Sequence, residues 1–137
     1  MAVAAAAGKP PRRSVAMRVL IVEDEPVIAL EIEAIVLDRL PDAEIVVAAS
    51  TGEAMVAIAQ PVELAFLDID VTDGKTYPLA LELRLRKVPF VFVSGADRSD
   101  RPEELGDAFQ VNKPFTPADI TRQLEILARR SDHERSD

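Results

Sequence analysis

Apolar and polar positions alternate in blocks along this chain, and the blocks have two periods. Val19-Leu20-Ile21-Val22, Ile45-Val46-Val47-Ala48, Leu64-Ala65-Phe66-Leu67, Phe90-Val91-Phe92-Val93 and Phe109-Gln110-Val111-Asn112 are short and largely apolar. They predict strands over 18–23, 45–48, 64–68, 90–94 and 109–112. Between them run helical patterns. Pro26 suits a first helical turn, and Ile28, Ile32, Ile35 and Val36 repeat at helical spacing to about Arg39. Ser50-Thr51-Gly52-Glu53 has the spacing of a capping box before a helix through Ala59. Leu79, Leu81, Leu83 and Leu85 lie in a charged helix ending near Lys87, and Thr116-Pro117-Ala118-Asp119 caps a last helix with Ile120, Leu124, Ile126 and Leu127. The polar stretch from Asp97 to Gly106 has room for at most a short helix.

Five strand–helix units follow from this pattern. Strands buried on both faces read as continuous apolar runs, as these do. Right-handed crossovers restrict the topology. The expected fold is α/β: a doubly wound five-stranded parallel sheet of order 2-1-3-4-5, with a flavodoxin-like (βα)5 arrangement. Residues 17–130 form the domain. Residues 1–16 read as a disordered arm and 131–137 as a disordered tail that holds the only histidine, His133.

Composition narrows the function classes. A chain of 137 residues suits one domain, and 48% hydrophobic content suffices for a core. With no cysteine, disulfides and thiolate metal sites are excluded, and a reducing, cytoplasmic setting is expected. A net charge of -8 argues against a nucleic-acid surface. No apolar stretch reaches the roughly 20 residues of a membrane helix.

The strand ends carry the chemistry. The first runs into Glu23-Asp24, the third into Asp68, the fourth into Ser94 and the fifth into Lys113. In a sheet of order 2-1-3-4-5, the crevice lies where the winding reverses, between strands 1 and 3. Three carboxylates would meet there although they are distant in sequence. Converging carboxylates raise one another's pKa or recruit a cation, and an all-oxygen donor set suits Mg2+, Ca2+ or Mn2+. Lysine pairs with a phosphoryl oxygen as a point charge, and a serine hydroxyl donates to another. Phosphoryl transfer asks a protein mainly for positioning and charge neutralisation; a carboxylate nucleophile would give an aspartyl phosphate. Each residue alone has a plainer reading: Glu23 or Asp24 as a cap before Pro26, Asp68 or Ser94 as a turn residue, Lys113 as a solvated side chain. The conjunction at four ordered strand ends favours the phosphoryl site.

These residues resemble the receiver domain of bacterial two-component response regulators. Val19-Leu-Ile-Val-Glu-Asp-Glu25 is similar to the family's first-strand acidic motif, and Phe66-Leu-Asp-Ile-Asp-Val-Thr-Asp-Gly74 to its phosphoacceptor motif. Phe92-Val-Ser-Gly95 and Asn112-Lys-Pro-Phe115 are similar to its two later motifs. The resemblance implies that Asp68 accepts a phosphoryl group from a sensor histidine kinase or histidine phosphotransferase. It also implies that Asp24 and Asp68 bind Mg2+ with the backbone carbonyl of Asp70, and that Glu23 assists through water. Lys113 would pair with the phosphoryl group and Ser94 would move to hydrogen-bond it. The Lys113-Pro114 bond is cis in many relatives. The expected protein is a phosphoprotein with self-catalysed transfer and hydrolysis rather than an enzyme.

Three departures qualify the resemblance. The position three residues before the lysine usually holds Tyr or Phe and here is Gln110, which puts the usual coupling of hydroxyl to ring in doubt. The Ser94–Lys113 interval is about three residues shorter than usual, so the fourth helix is expected to be short or irregular. With Tyr77-Pro78, Pro89 and Arg101-Pro-Glu-Glu104, this resembles an atypical subgroup with a Phe-Ala-Thr-Gly-type fourth-strand motif, frequent in alphaproteobacteria. Asp70 adds a negative side chain beside the site and is expected to alter adduct lifetime.

No output domain fits the sequence, so a stand-alone receiver is expected, acting by contact with a downstream protein, through the fourth helix, fifth strand and fifth helix or through the first helix. A homodimer stays open. The main alternative is an unphosphorylated pseudo-receiver module. Asp68-Ile-Asp70-Val-Thr72 also fits the nucleophile motif of haloacid-dehalogenase-type phosphatases, but that family's acidic pair follows the lysine. A dinucleotide-binding reading fails because Glu23-Asp24-Glu25-Pro26 stands where a glycine-rich loop is needed.

Overall fold

Five parallel strands form one sheet in the expected order, second, first, third, fourth, fifth, with a small hairpin outside it. In chain order the elements are β1 (Arg18–Val22), α1 (Pro26–Arg39), β2 (Glu44–Ala48), α2 (Thr51–Ala57) and β3 (Leu64–Leu67). A small hairpin, β4 (Asp70–Val71) and β5 (Gly74–Lys75), precedes α3 (Tyr77–Leu85). Then follow β6 (Phe90–Ser94), a single 3-10 turn (Glu103–Leu105), β7 (Gln110–Asn112) and α4 (Pro117–Ser136). The computed structural model describes residues 17–97 and 99–136.

Successive strand residues point to opposite faces, and both faces are covered. Leu20, Val22, Leu67 and Phe92 pack under α2 and α3 with Leu79 and Leu83. Ile21, Phe66 and Val93 pack under α1 and α4 with Ile32, Val36, Ile120 and Leu124. In α3 the four leucines divide by helical spacing: Leu79 and Leu83 are fully buried, whereas Leu85 is 79% exposed. β2 is an edge strand, and its Val47 is half-exposed.

The helix starts are built as the sequence suggests. Ser50 Oγ accepts from Glu53 N at 3.0 Å, while Glu53 Oε1 accepts from Ala49 N at 2.9 Å. Thr116 and Asp119 cap reciprocally, each side chain accepting from the other's backbone N–H. Pro26 opens α1, and its N-cap residue Glu25 makes no side-chain capping bond.

The fourth helix is reduced to Glu103–Leu105, in line with the shortened interval. Several boundaries differ from the sequence reading: β1 ends at Val22 and β3 at Leu67, one residue early, β2 starts at Glu44, and α2 ends at Ala57. β7 begins at Gln110, and Phe109 is left 61% exposed. α4 includes residues 131–136, and Ser131 is buried on it. The expected arm, 1–16, and the side chain of His133 lie outside the described residues. Among the described residues no helix is long and apolar enough to cross a membrane.

Candidate functional site

Parallel pairing sets the site's geometry. Val22 pairs with Leu67, so Glu23 and Asp68 leave adjacent strands at the same level. Ser94 pairs with Asn112, which places Lys113 one residue beyond β7. Backbone bonds extend the ladder past the strand ends: Glu23 N donates to Ala48 O, Asp68 N to Val22 O, and Lys113 N to Ser94 O. The functional side chains therefore project from fixed backbone.

Glu23, Asp24 and Asp68 converge, each offering a carboxylate oxygen within 4.8 Å of the others. Lys113 Nζ donates to Glu23 Oε1 at 2.8 Å and to Asp68 Oδ2 at 3.0 Å, with Glu25 Oε1 at 3.8 Å. Glu23's second oxygen accepts from Glu25 N at 3.0 Å. Both oxygens of Glu23 are thus engaged, and its side chain is only 1% exposed. Asp68 keeps one carboxylate oxygen outside the lysine bond, and Asp24 is partly exposed beside it.

Electrostatics follow from this packing. Burial raises the Glu23 pKa above the ordinary carboxylate value, against the hydrogen bonds from Lys113 and the Glu25 amide and with repulsion from Asp68 adding to it. Burial pulls the Lys113 pKa down, but its bonds to Glu23 and Asp68 outweigh that and leave it raised. The ammonium thus stays charged at neutral pH and offsets two crowded carboxylates.

Ser94 is buried, and its Oγ accepts from Ala96 N at 3.2 Å. Gln110 is buried behind it: the two N–H groups of Nε2 are shared among Ala96 O at 3.0 Å, Asn112 Oδ1 at 3.1 Å and, at the longest distance, Ser94 O at 3.3 Å. Asp70 turns outward in the hairpin and pairs with Lys75 at 2.7 Å; Lys75 also lies 3.5 Å from Asp100. The Lys113-Pro114 bond is cis.

Three contributors escaped the sequence reading. Thr76 is fully buried, and its Oγ1 donates to the backbone oxygen of Asp68 at 2.6 Å, while its N–H donates to Ile69 O. It stands at the N-cap of α3, yet its hydroxyl grips the Asp68 peptide instead of capping. Asp73 accepts from Thr51 N at 2.8 Å and Gly52 N at 3.0 Å, tying the hairpin turn to the start of α2. Those two bonds lower the Asp73 pKa. Arg101 bonds to Gln110. A threonine just before a helix was the visible signal for the first; the Asp73 bonds span more than 20 residues and left none, and Arg101, noted only within the subgroup pattern, gave no sign of its bond to Gln110.

No protein-family model matches the chain. The sensory transduction protein LytT of Enterococcus faecalis is 36% identical over 118 residues, covering 80% of this chain and 47% of that protein. The chain spans about half the length of the curated relatives it matches. Among solved structures, SdrG from Sphingomonas melonis Fr1 is 30% identical with a TM-score of 0.68, covering 82% of this chain and 96% of that one. A response regulator receiver domain (CheY-like) from Methylobacillus flagellatus is 25% identical with a TM-score of 0.66, covering 82% and 98%. The chain belongs to the response regulator receiver family of two-component signalling.

Proposed function

We propose that Asp68 is the phosphoacceptor of a two-component phosphorelay. The supporting observation is the seat of Lys113, which holds Asp68 Oδ2 at 3.0 Å and Glu23 Oε1 at 2.8 Å inside a three-carboxylate pocket. A lysine so placed neutralises the pocket at rest and lies within reach of oxygens added to Asp68.

The all-oxygen donor set fits a hard divalent cation, Mg2+ above all. Asp24 and Asp68 would hold it, with the Asp70 carbonyl; Glu23, whose oxygens are taken by Lys113 and the Glu25 amide, would act through water. When bound, the ion neutralises charge on the phosphoryl oxygens. The donor is the phosphohistidine of a sensor kinase or histidine phosphotransferase. A free oxygen of Asp68 attacks phosphorus, the P–N bond breaks, and the imidazole leaves with the electron pair. Lys113 shifts from carboxylate to phosphoryl oxygen, and the Ser94 hydroxyl donates to a second. The acyl phosphate formed is hydrolysable, and the signal passes to a downstream protein by contact. The chain itself catalyses transfer and hydrolysis.

The test is incubation with acetyl phosphate and Mg2+ followed by intact mass. One phosphoryl adduct is expected, absent in Asp68→Asn and absent with a chelator. A wild-type chain that takes no adduct and binds no beryllofluoride would instead be a pseudo-receiver.

A further inference from the structure

The connection from β6 to β7 contains fifteen positions, 95–109, and a single 3-10 turn among the described residues. Such a segment must satisfy its backbone by other means. Short backbone bonds close the 3-10 turn, and Arg101 adds side-chain bonds to the end of the segment. Arg101 Nη1 donates to Ala108 O at 2.7 Å and lies 3.4 Å from Leu105 O, and its Nη2 donates to Gln110 Oε1 at 2.6 Å. The guanidinium lies over the Phe92 ring, 4.8 Å from its centroid. Leu105 and Ala108 are thereby held down as buried plugs.

Gln110 carries the connection to the site. Its carbonyl oxygen faces a donor-only guanidinium, so its amide nitrogen must face the other way, toward the acceptors. There it meets Ser94 O and Ala96 O, the two carbonyls flanking the turn in which Ser94 Oγ accepts from Ala96 N. The same Ser94 carbonyl also receives Lys113 N. A chain of bonds thus runs from the 3-10 segment through Arg101 and Gln110 to the turn that aims the Ser94 hydroxyl.

We propose that Arg101 and Gln110 are a pair of positioning residues for Ser94: Gln110 fixes the 94–96 turn by donating to its carbonyls, and Arg101 fixes Gln110. The pair makes the setting of Ser94 and the conformation of 97–108 one linked state. The part concerning phosphoryl chemistry rests on the function proposed above.

Two measurements test the pair. Amide hydrogen exchange, with no phosphodonor, is compared among wild type, Arg101→Met, Gln110→Leu and Gln110→Glu. Exchange at Ala96, whose N–H donates to Ser94 Oγ, is expected to quicken at least tenfold in all three variants, with that at Ile21 and Phe66 nearly unchanged. Gln110→Glu is the sharp case: it keeps an acceptor for Arg101 but turns an acceptor toward the Ser94 and Ala96 carbonyls, so it should behave like Gln110→Leu. Unchanged exchange at Ala96 in Gln110→Glu, or protection lost equally throughout the sheet, overturns the proposal. The second measurement is the rate of adduct formation from acetyl phosphate by intact mass. Each variant should lower it three- to tenfold, the double variant Arg101→Met/Gln110→Leu no further than the worse single one. In a Ser94→Ala background the variants should have no additional effect. Rates that stay within twofold of wild type, or effects that persist in full in Ser94→Ala, overturn the pair's role. If the wild type takes no phosphoryl group, the proposed function falls, and the exchange comparison decides the pairing by itself.

Discussion

The chain leaves β3 and β6 in two different ways, although each strand delivers a group to the same pocket. After β3, residues 68–76 are held by the β4–β5 hairpin, by Thr76 N to Ile69 O, and by one short side-chain bond, Thr76 Oγ1 to Asp68 O. After β6, the described residues of 95–109 have one 3-10 turn, closed by Leu105 N to Pro102 O, Gly106 N to Glu103 O and Ala108 N to Leu105 O, and lean further on the long side chains of Arg101 and Gln110. Local backbone bonds form with little chain to order. Bonds through long side chains require rotamers to be frozen as well. The β3 exit is therefore the stiff one, which suits the residue that must present a nucleophile. The β6 exit can change without disturbing the sheet.

Four perturbations would break or sharpen this contrast. The largest effect is expected from Lys113→Met, which leaves Glu23 and Asp68 crowded and the pocket without its ammonium. Phosphoryl uptake measured by intact mass should fall by roughly 10²-fold, the scale of losing one preorganised charge-stabilising donor. An undiminished rate would separate Lys113 from the chemistry. Next comes Phe92→Ala. Phe92 is fully buried, meets Tyr77 edge-on at 5.9 Å and carries Arg101 on its face, so it supports both exits. Urea unfolding should show a loss of about 3–5 kcal/mol. A loss much below that would mean the two exits do not share this support.

Thr76→Val keeps shape and removes only the donor to the Asp68 carbonyl. About 1–3 kcal/mol of stability should go, the usual cost of stranding a buried polar partner. Exchange should quicken in 69–76 and stay as it was in 95–108; the reverse pattern would contradict the division drawn between the two exits. Asp73→Asn should have the smallest effect. The folded state holds the Asp73 pKa below its ordinary value through the Thr51 and Gly52 amides. The stability this brings is complete above the unfolded carboxylate pKa of about 3.9 and is lost as pH falls through the lowered folded value. Wild type and Asp73→Asn should differ by a constant amount above about pH 5 and converge in acid. Parallel melting curves down to the lowest pH would rule out this linkage.

What could be read from the sequence follows the same division. Four of the five strands were visible as continuous apolar runs, and the fifth, with Gln110 and Asn112 in it, by its place before Lys113-Pro114. Sheet order and crevice position then followed from handedness, which is why Glu23, Asp24, Asp68 and Lys113 could be brought together before any geometry was known. Ser94 and Gln110 were identifiable by position, but what Gln110 does was not. Its partner Arg101 lies in an aperiodic polar stretch, where an arginine looks like any solvated charge. The Asp73 link to α2 was hidden for a related reason: it joins a turn to a helix start 21 residues away, through an exposed carboxylate with no local signature. The continuation of α4 to Ser136 was obscured by a charged sequence whose buried Ser131 is polar.

The Thr76 bond has one further consequence. The peptide oxygen of the residue that would bear the phosphoryl group is clasped by the hydroxyl of the residue that starts α3. Asp68 and the helix are thus yoked at a single atom. Strain arriving at residue 68 is felt at the base of α3 before it reaches any exposed surface.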